Sequence, residues 1–459
     1  MEETRQLARF ASRTQYEDLP PDLVAQAKIY ILDNLAAGFV GSRQPWAQIV
    51  IGLIRDLGGR GEASAFCQAW QTDVSRAALL NGTMIGAFEI EHIGHSAHAS
   101  GTAFPPALAV AERDHRDGRA LITATLVGYE VVCRIGAAQT GAVERDRGFH
   151  NPGANGPFGA AAAVGSLLGL DETRMAWALG IAGSSGGGLT EFVWEGAMTK
   201  RIHLGRAAQL GLESALLAAR GFTGPTTVLE GPYGYFHAFS PRPAVEKLLP
   251  GLGHEWLARR LTVKAYPSHA TTQAIVHAVR VYKDTHPVDL STLTRVSVTS
   301  GGRVVEPRHF DRAPTSILGA QYSVPYALAV ALVRDMSNPL VFGVDVLEDP
   351  AIRGLAAKIE AHEDNERFGD DHHGYVSEIT LEFGDRSVRL LADGFPGALA
   401  QPLDFAGITE KFTRFATPVI GRAPAAAIVE RVADLERLGD AADLAALLRA
   451  PHVPDRTQG

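Results

Sequence analysis

The chain has 459 residues, 46% hydrophobic and 20% charged, with 48 Gly and 25 Pro; this is a globular composition, neither disordered nor fibrous, and too long for one core. With 51 acidic against 43 basic residues the formal charge is −8. That is the wrong sign for a general nucleic-acid binder, although a few buried cations can still build an anion pocket. Two cysteines, Cys67 and Cys133, argue against a disulfide framework or a cysteine metal cluster and fit a reducing cytosol.

The first residues, MEETRQLARF, are acidic and amphipathic, unlike a secretory signal, so a cytoplasmic protein is expected. After Pro20 and Pro21, Leu23, Ala27, Ile31, Leu32, Ala36 and Ala37 make a helical stripe. Segments 73–87, 105–113, 118–139, 158–168, 171–183 and 205–220 repeat it, rich in Ala, Leu and Gly, as in closely packed helices. The texture changes after about residue 255. Thr294–Ser300, Val376–Phe383 and Ser387–Leu391 alternate as strands do, the last two flanking a Gly384–Asp385 turn. Helices are expected at 270–284, 317–334 and 348–361, and again from Pro402 through an Ala/Leu-rich end at 424–449. Apolar stretches such as Ala320–Val333 are too short and interrupted for a membrane span. The fold class expected is two-domain and mostly α. A large all-helical domain over 1–250, completed by C-terminal helices at 402–450, accompanies a smaller α+β lid domain over 255–400.

Five clusters can carry chemistry. The first is Glu89-Ile90-Glu91-His92-Ile93-Gly94-His95-Ser96-Ala97-His98, between two helices. Two carboxylates and three imidazoles so close are costly to bury without purpose; the plain alternative is a polar loop in water. His92, His95 and His98, spaced by three, also admit a metal site with Glu91, but the Gly and Ser content opposes a regular helix and HExxH is absent. The second is His150, ahead of a small-residue helix whose positive end favours a neutral imidazole; a turn or capping role is the alternative. The third is Gly186-Gly187-Gly188, followed by Thr199-Lys200-Arg201-Ile202-His203. With Thr199 as N-cap, Lys200 and Arg201 fall in a first turn, where the helix dipole disfavours cations unless an anion binds. Lys200 reads as functional and Arg201 as structural. A formal G-x-S-x-G at Gly183–Gly187 follows a helical segment, so it is no nucleophile elbow. The fourth is Lys264-Ala265-Tyr266-Pro267-Ser268-His269, a candidate anion clamp. The fifth is Tyr322-Ser323-Val324-Pro325-Tyr326, where Tyr326 offers a phenol or a packed aromatic.

In order and spacing these clusters resemble the MmgE/PrpD family, over nearly the whole chain. Its most specific matches are Thr199-Lys200-Arg201-Ile202-His203-Leu204-Gly205, Lys264-Ala265-Tyr266-Pro267 and Tyr322-Ser323-Val324-Pro325-Tyr326. Leu32-Asp33-Asn34-Leu35-Ala36-Ala37-Gly38 is similar to a family helix as well. The resemblance implies a homodimer that needs no metal or organic cofactor and acts on a small di- or tricarboxylate through a carbanion. It places Glu89, His98, His150, Lys200, Lys264 and Tyr326 in one pocket between the two domains. Lys200, Lys264, His98 and Tyr326 then bind substrate, and His150, with Glu89 as counterpart, moves protons. One departure stands out: where the family has D-x-D-D and a hydroxyl residue, this chain has Glu89-Ile90-Glu91-His92-Ile93. A 2-methylcitrate dehydratase-like hydro-lyase is the first expectation, with cis-aconitate-type decarboxylation or iminodisuccinate-type epimerisation as alternatives. A metal-dependent hydrolase using His92, His95 and His98, or a non-catalytic polyanion-binding protein, represents the other classes.

Overall fold

The structure, a computed structural model, describes residues 2–369, 375–384 and 386–449. It contains two compact units. The first comprises the chain through Thr190, Met198–Leu261 and the residues from Leu403 on; the second comprises Glu191–Ala197 and Thr262–Pro402.

The first unit is built from helices whose starts are written in the sequence. Pro21 and Pro45 open Pro21–Ser42 and Pro45–Leu57, at the position where a missing N–H costs nothing. The carboxylates of Asp73, Asp117 and Asp171 cap Val74–Ile85, Gly118–Gln139 and Glu172–Gly183, each accepting an otherwise orphaned N–H. Pro21–Ser42 and Gly118–Gln139 are long and apolar enough to cross a membrane by length and composition, contrary to the expectation that apolar stretches are short. Within the unit their apolar windows are 83% and 89% buried, so they are core helices here. Glycine permits a close helix crossing. A Cβ on Gly82 would stand 2.8 Å from the Cα of Gly205, and one on Gly205 would stand 2.1 Å from the Leu79 carbonyl oxygen.

Two helices begin earlier than their apolar periodicity predicts. Ala99–Arg113 carries Pro105 and Pro106 inside it, and Asn151–Leu167 carries Pro157. Their first turns, rich in Gly, Pro, Ser and polar residues, read as loop in isolation but are buried by packing. These added turns begin beside His98 and His150. Thr199–Ala219 starts within one residue of its expected N-cap, and its opening turns hold Lys200, Arg201 and His203. The unit is not purely helical, either. Ala63–Ser64 and Gln71–Thr72 pair antiparallel, too short to alternate visibly, and the Glu112 carboxylate fastens them by accepting from Ser64 N, Ser64 Oγ and Gln71 Nε2.

The second unit holds a four-stranded sheet in the order Ile359–Glu363, Leu293–Ser300, Ser377–Phe383, Arg386–Ala392. The first pair is parallel and the others antiparallel. The helix expected over 348–361 is instead a helix at Pro350–Ala356 followed by the strand Ile359–Glu363. That strand buries only Ile359, so its sequence carries no alternation. The helix expected over 317–334 breaks at Ser323, whose hydroxyl caps Val324–Val333 by accepting from Tyr326 N. Gly384 takes φ +60 at the predicted turn; Asp385 lies outside the described residues. Glu191–Ala197, inside the range 1–250 expected for the helical domain, packs with the second unit, where Phe192 meets Leu318 and Tyr322.

Candidate active site

The loop between Ile85 and Ala99 is not a polar surface loop. Glu89, Glu91 and His92 are buried, and each is held by a different partner. Glu89, in the left-handed region at φ +60, forms an ion pair with the ammonium of Lys200, and Arg201 Nη1 stands 3.4 Å from the same oxygen. The Arg201 guanidinium also lies 4.8 Å from the Trp46 ring centroid. The glutamate in place of the family's aspartate thus sits among two buried cations, and Arg201 is interior, not solvated. Glu91 Oε1 lies 3.0 Å from His98 Nδ1.

His92, where the family has an acid, closes a separate network. Its main-chain N–H and its Nδ1 both reach Asp33 Oδ2, at 2.9 and 2.8 Å. Its Nε2 lies 3.0 Å from the Tyr129 hydroxyl, which accepts from Asn34 Nδ2 at 2.8 Å. The Tyr30 ring stacks on the imidazole at 4.7 Å. Lys411, on the returning helix Phe405–Ile420, pairs with Asp33 Oδ1 and donates to the Ile90 carbonyl. Burial alone would push the Asp33 carboxyl up, but the charge of Lys411 and the bond from His92 outweigh it and hold it below its ordinary value. His95 Nε2 donates to the Leu257 carbonyl. His92, His95 and His98 therefore point to separate partners instead of a common centre, and among the described residues no group of three or more His, Cys, Asp or Glu is placed to hold a metal.

His150 is the N-cap residue of Asn151–Leu167. Its ring centroid is 6.0 Å from that of His98 and 5.1 Å from that of His203, and its Nδ1 is 2.9 Å from His203 Nδ1. Burial, then the neighbouring His203 and His98, push the His150 imidazole well below its usual value. Burial and the charge of Lys200 bring His203 down to about 4. Both rings are uncharged at neutral pH, and desolvation is the chief cause in each. The N-cap of Thr199–Ala219 is Met198, not Thr199, and Lys200 and Arg201 occupy its first turn, both buried. The first unit therefore gathers Glu89, Glu91, His98, His150, Lys200, Arg201 and His203.

The second unit has its own polar cluster. Lys264 is buried in a turn folded around Gln273, whose amide accepts from Ala265 N and Tyr266 N and donates to the Tyr266 and Ser268 carbonyls. His269 stacks on His309 and Tyr322 at 4.6 and 4.3 Å; burial first, then His309 and Lys264, hold its imidazole well below the usual value. Tyr326 is fully buried, and its hydroxyl donates to the Val346 carbonyl at 2.8 Å.

Sequence reasoning gave no role to His203, Asp33, Tyr129 or Lys411. Two signals were present: His203 follows Lys200 by three, the spacing of neighbours on one helix face, and Asp33-Asn34 interrupts an otherwise apolar helix. Lys411 has none, because its partner is 378 residues away.

Comparison with known proteins covers both units. The model of the MmgE/PrpD N-terminal domain matches residues 5–247, and that of the MmgE/PrpD C-terminal domain matches residues 266–437. Among curated proteins the chain is 30% identical to the cis-aconitate decarboxylase-like protein oryM of Aspergillus oryzae (strain ATCC 42149 / RIB 40), over 97% of each chain. It is 29% identical to cis-aconitate decarboxylase of Aspergillus terreus, over 98% of this chain and 96% of the relative. It is also 29% identical to cis-aconitate decarboxylase of Homo sapiens, over 94% and 92%.

Proposed function

The chain belongs to the MmgE/PrpD family, and from that premise we propose that it is a lyase that decarboxylates a small unsaturated tricarboxylate of the cis-aconitate type, using acid–base and electrostatic catalysis by its own side chains. The relatives favour decarboxylation over the 2-methylcitrate dehydratase-like reaction that was the first expectation, and over epimerisation. The observation that carries the chemistry is the pair of uncharged imidazoles, buried His150 and half-buried His203, beside Lys200.

A tricarboxylate brings up to three negative charges to this site. Nearby anions favour the imidazolium, so binding itself raises the affinity of His150 for a proton. Lys200 holds one carboxylate, and His98, fixed through Nδ1 by Glu91, donates to another. When the C–C bond to one carboxylate breaks, CO₂ leaves and the electron pair stays on the substrate, delocalised toward a remaining carboxylate. Fixed cations stabilise that charge most where water is excluded. The imidazolium of His150 then delivers its proton to carbon and returns to the neutral form, a step typically worth ~10²–10⁴-fold. Glu89 serves in this scheme as the counter-ion that orders Lys200 and Arg201, not as a second proton carrier.

The test is incubation with cis-aconitate, 2-methylcitrate and iminodisuccinate, followed by proton NMR and CO₂ detection. CO₂ release from the unsaturated tricarboxylate supports the proposal; turnover of 2-methylcitrate with loss of water alone replaces it with the dehydratase.

A further inference from the structure

His203 stands three residues after Lys200 in the opening turns of Thr199–Ala219, and its ring packs against His150 across the crossing of that helix with Asn151–Leu167. The two Nδ1 atoms are 2.9 Å apart. At that separation they hold one proton between them: two lone pairs would repel, and two N–H groups would collide. One ring is therefore the Nδ1–H tautomer and the other accepts, and which is which decides what each Nε2 can do.

The main chain is shaped around this pair. His150 N–H donates to the Gly188 carbonyl at 2.9 Å, and Thr190 N–H donates to the Gly148 carbonyl at 2.9 Å. Gly188 adopts φ +104, and a Cβ there would stand 3.1 Å from Cε1 and 3.2 Å from Nδ1 of His203. The last glycine of the Gly186-Gly187-Gly188 run is thus both the acceptor under His150 and the space that His203 occupies.

We propose that His203 is a positioning residue that accepts the Nδ1 proton of His150, leaving the His150 Nε2 lone pair to take up the reaction's proton and return it. This rests on the acid–base reading of His150 given above. The proton balance is closed: Nε2 gains a proton as the anionic substrate arrives, Nδ1–H stays hydrogen-bonded to His203 throughout, and Nε2 gives the proton to carbon. The groups acting on the pair are His98 and His203 on His150, and Lys200 on His203. Glu91 stands behind His98 and Glu89 behind Lys200. With an uncharged imidazole as acceptor in place of a carboxylate, His150 binds its proton only when substrate charge is present.

Three substitutions separate this role from a structural one. His203→Asn keeps an amide oxygen close to the Nδ1 position, His203→Leu removes the acceptor, and His203→Asp makes it anionic. His203→Leu is expected to lower kcat ~10²–10⁴-fold, as loss of the correct tautomer or of a proton-transfer group does, with KM little changed. His203→Asn is expected to recover most of that loss. His203→Asp is expected to move the alkaline limb of the kcat/KM profile upward by about one pH unit or more, because an anion favours the imidazolium that delivers the proton. Nitrogen-15 NMR of the ligand-free protein reads the tautomer without any substrate, so it separates a failure of this inference from a failure of the decarboxylase reading. His150 in the Nδ1–H form supports the assignment. His150 in the Nε2–H form, or a folded His203→Leu protein with unchanged kcat, overturns it.

Discussion

Replacing Glu89 by glutamine keeps the shape of the side chain and removes its charge. The structure makes this severe, because Lys200 and Arg201, both buried, share that one carboxylate. Removing one partner of a buried ion pair costs about 3–5 kcal/mol, since the charge left behind stays desolvated. Here two cations are left, so the upper half of that range applies. The left-handed backbone at Glu89 is common to both proteins and cancels. At about 1 °C per kcal/mol for a chain of 459 residues, Tm should fall by roughly 4–5 °C. Calorimetry at pH 7, with and without a non-reactive tricarboxylate, is the assay. The ligand should stabilise Glu89→Gln more than the parent, because its carboxylates replace the missing one. Adding Lys200→Met to Glu89→Gln should restore part of the loss. A Glu89→Gln protein within ~0.5 kcal/mol of the parent, the usual range for surface changes, would refute the argument.

Two further predictions follow from the buried charges. The Asp33 carboxyl lies below its ordinary value in the folded protein. Its contribution to stability is therefore present above about 3.8, the unfolded value, and is lost as pH falls through the lower folded value. Urea denaturation from pH 6 down to 3 should show that slope, and Asp33→Asn should flatten it while lowering stability throughout; an unchanged slope removes the carboxylate from the account. Substrate-analogue binding at pH 7 should draw a proton from solution, because the His150 ring, held neutral by burial, becomes charged beside the anion. Calorimetric titration in buffers of different ionisation enthalpy measures this, and zero uptake contradicts the proposed role of His150.

Much of the fold was legible because it obeys local rules. Pro21, Asp73, Asp117 and Asp171 mark helix starts by capping chemistry alone, and Thr294–Ser300 shows its strand by alternation. The strand Ile359–Glu363 was not, because a parallel edge partner with one buried residue leaves no period to read. The first turns of Ala99–Arg113 and Asn151–Leu167 were missed for a related reason. Their Gly and Pro residues lower helix propensity, and tertiary packing supplies what propensity withholds. At the site, clustered ionisable residues pointed to Glu89, His98, His150 and Lys200. The wiring among them was hidden: that Glu89 meets Lys200, or His92 meets Asp33, is a long-range fact. The bond from the Tyr326 hydroxyl to the Val346 carbonyl was hidden too, because a backbone acceptor is announced by no side-chain pattern.

The most direct test of the central claim is turnover of cis-aconitate in D₂O, followed by proton and carbon NMR. The account predicts one CO₂ released per substrate consumed and one deuterium on the product carbon that takes up the proton, with the rate falling at least ~10²-fold in His150→Ala. Product formed without CO₂, or an undiminished rate in His150→Ala, would contradict it.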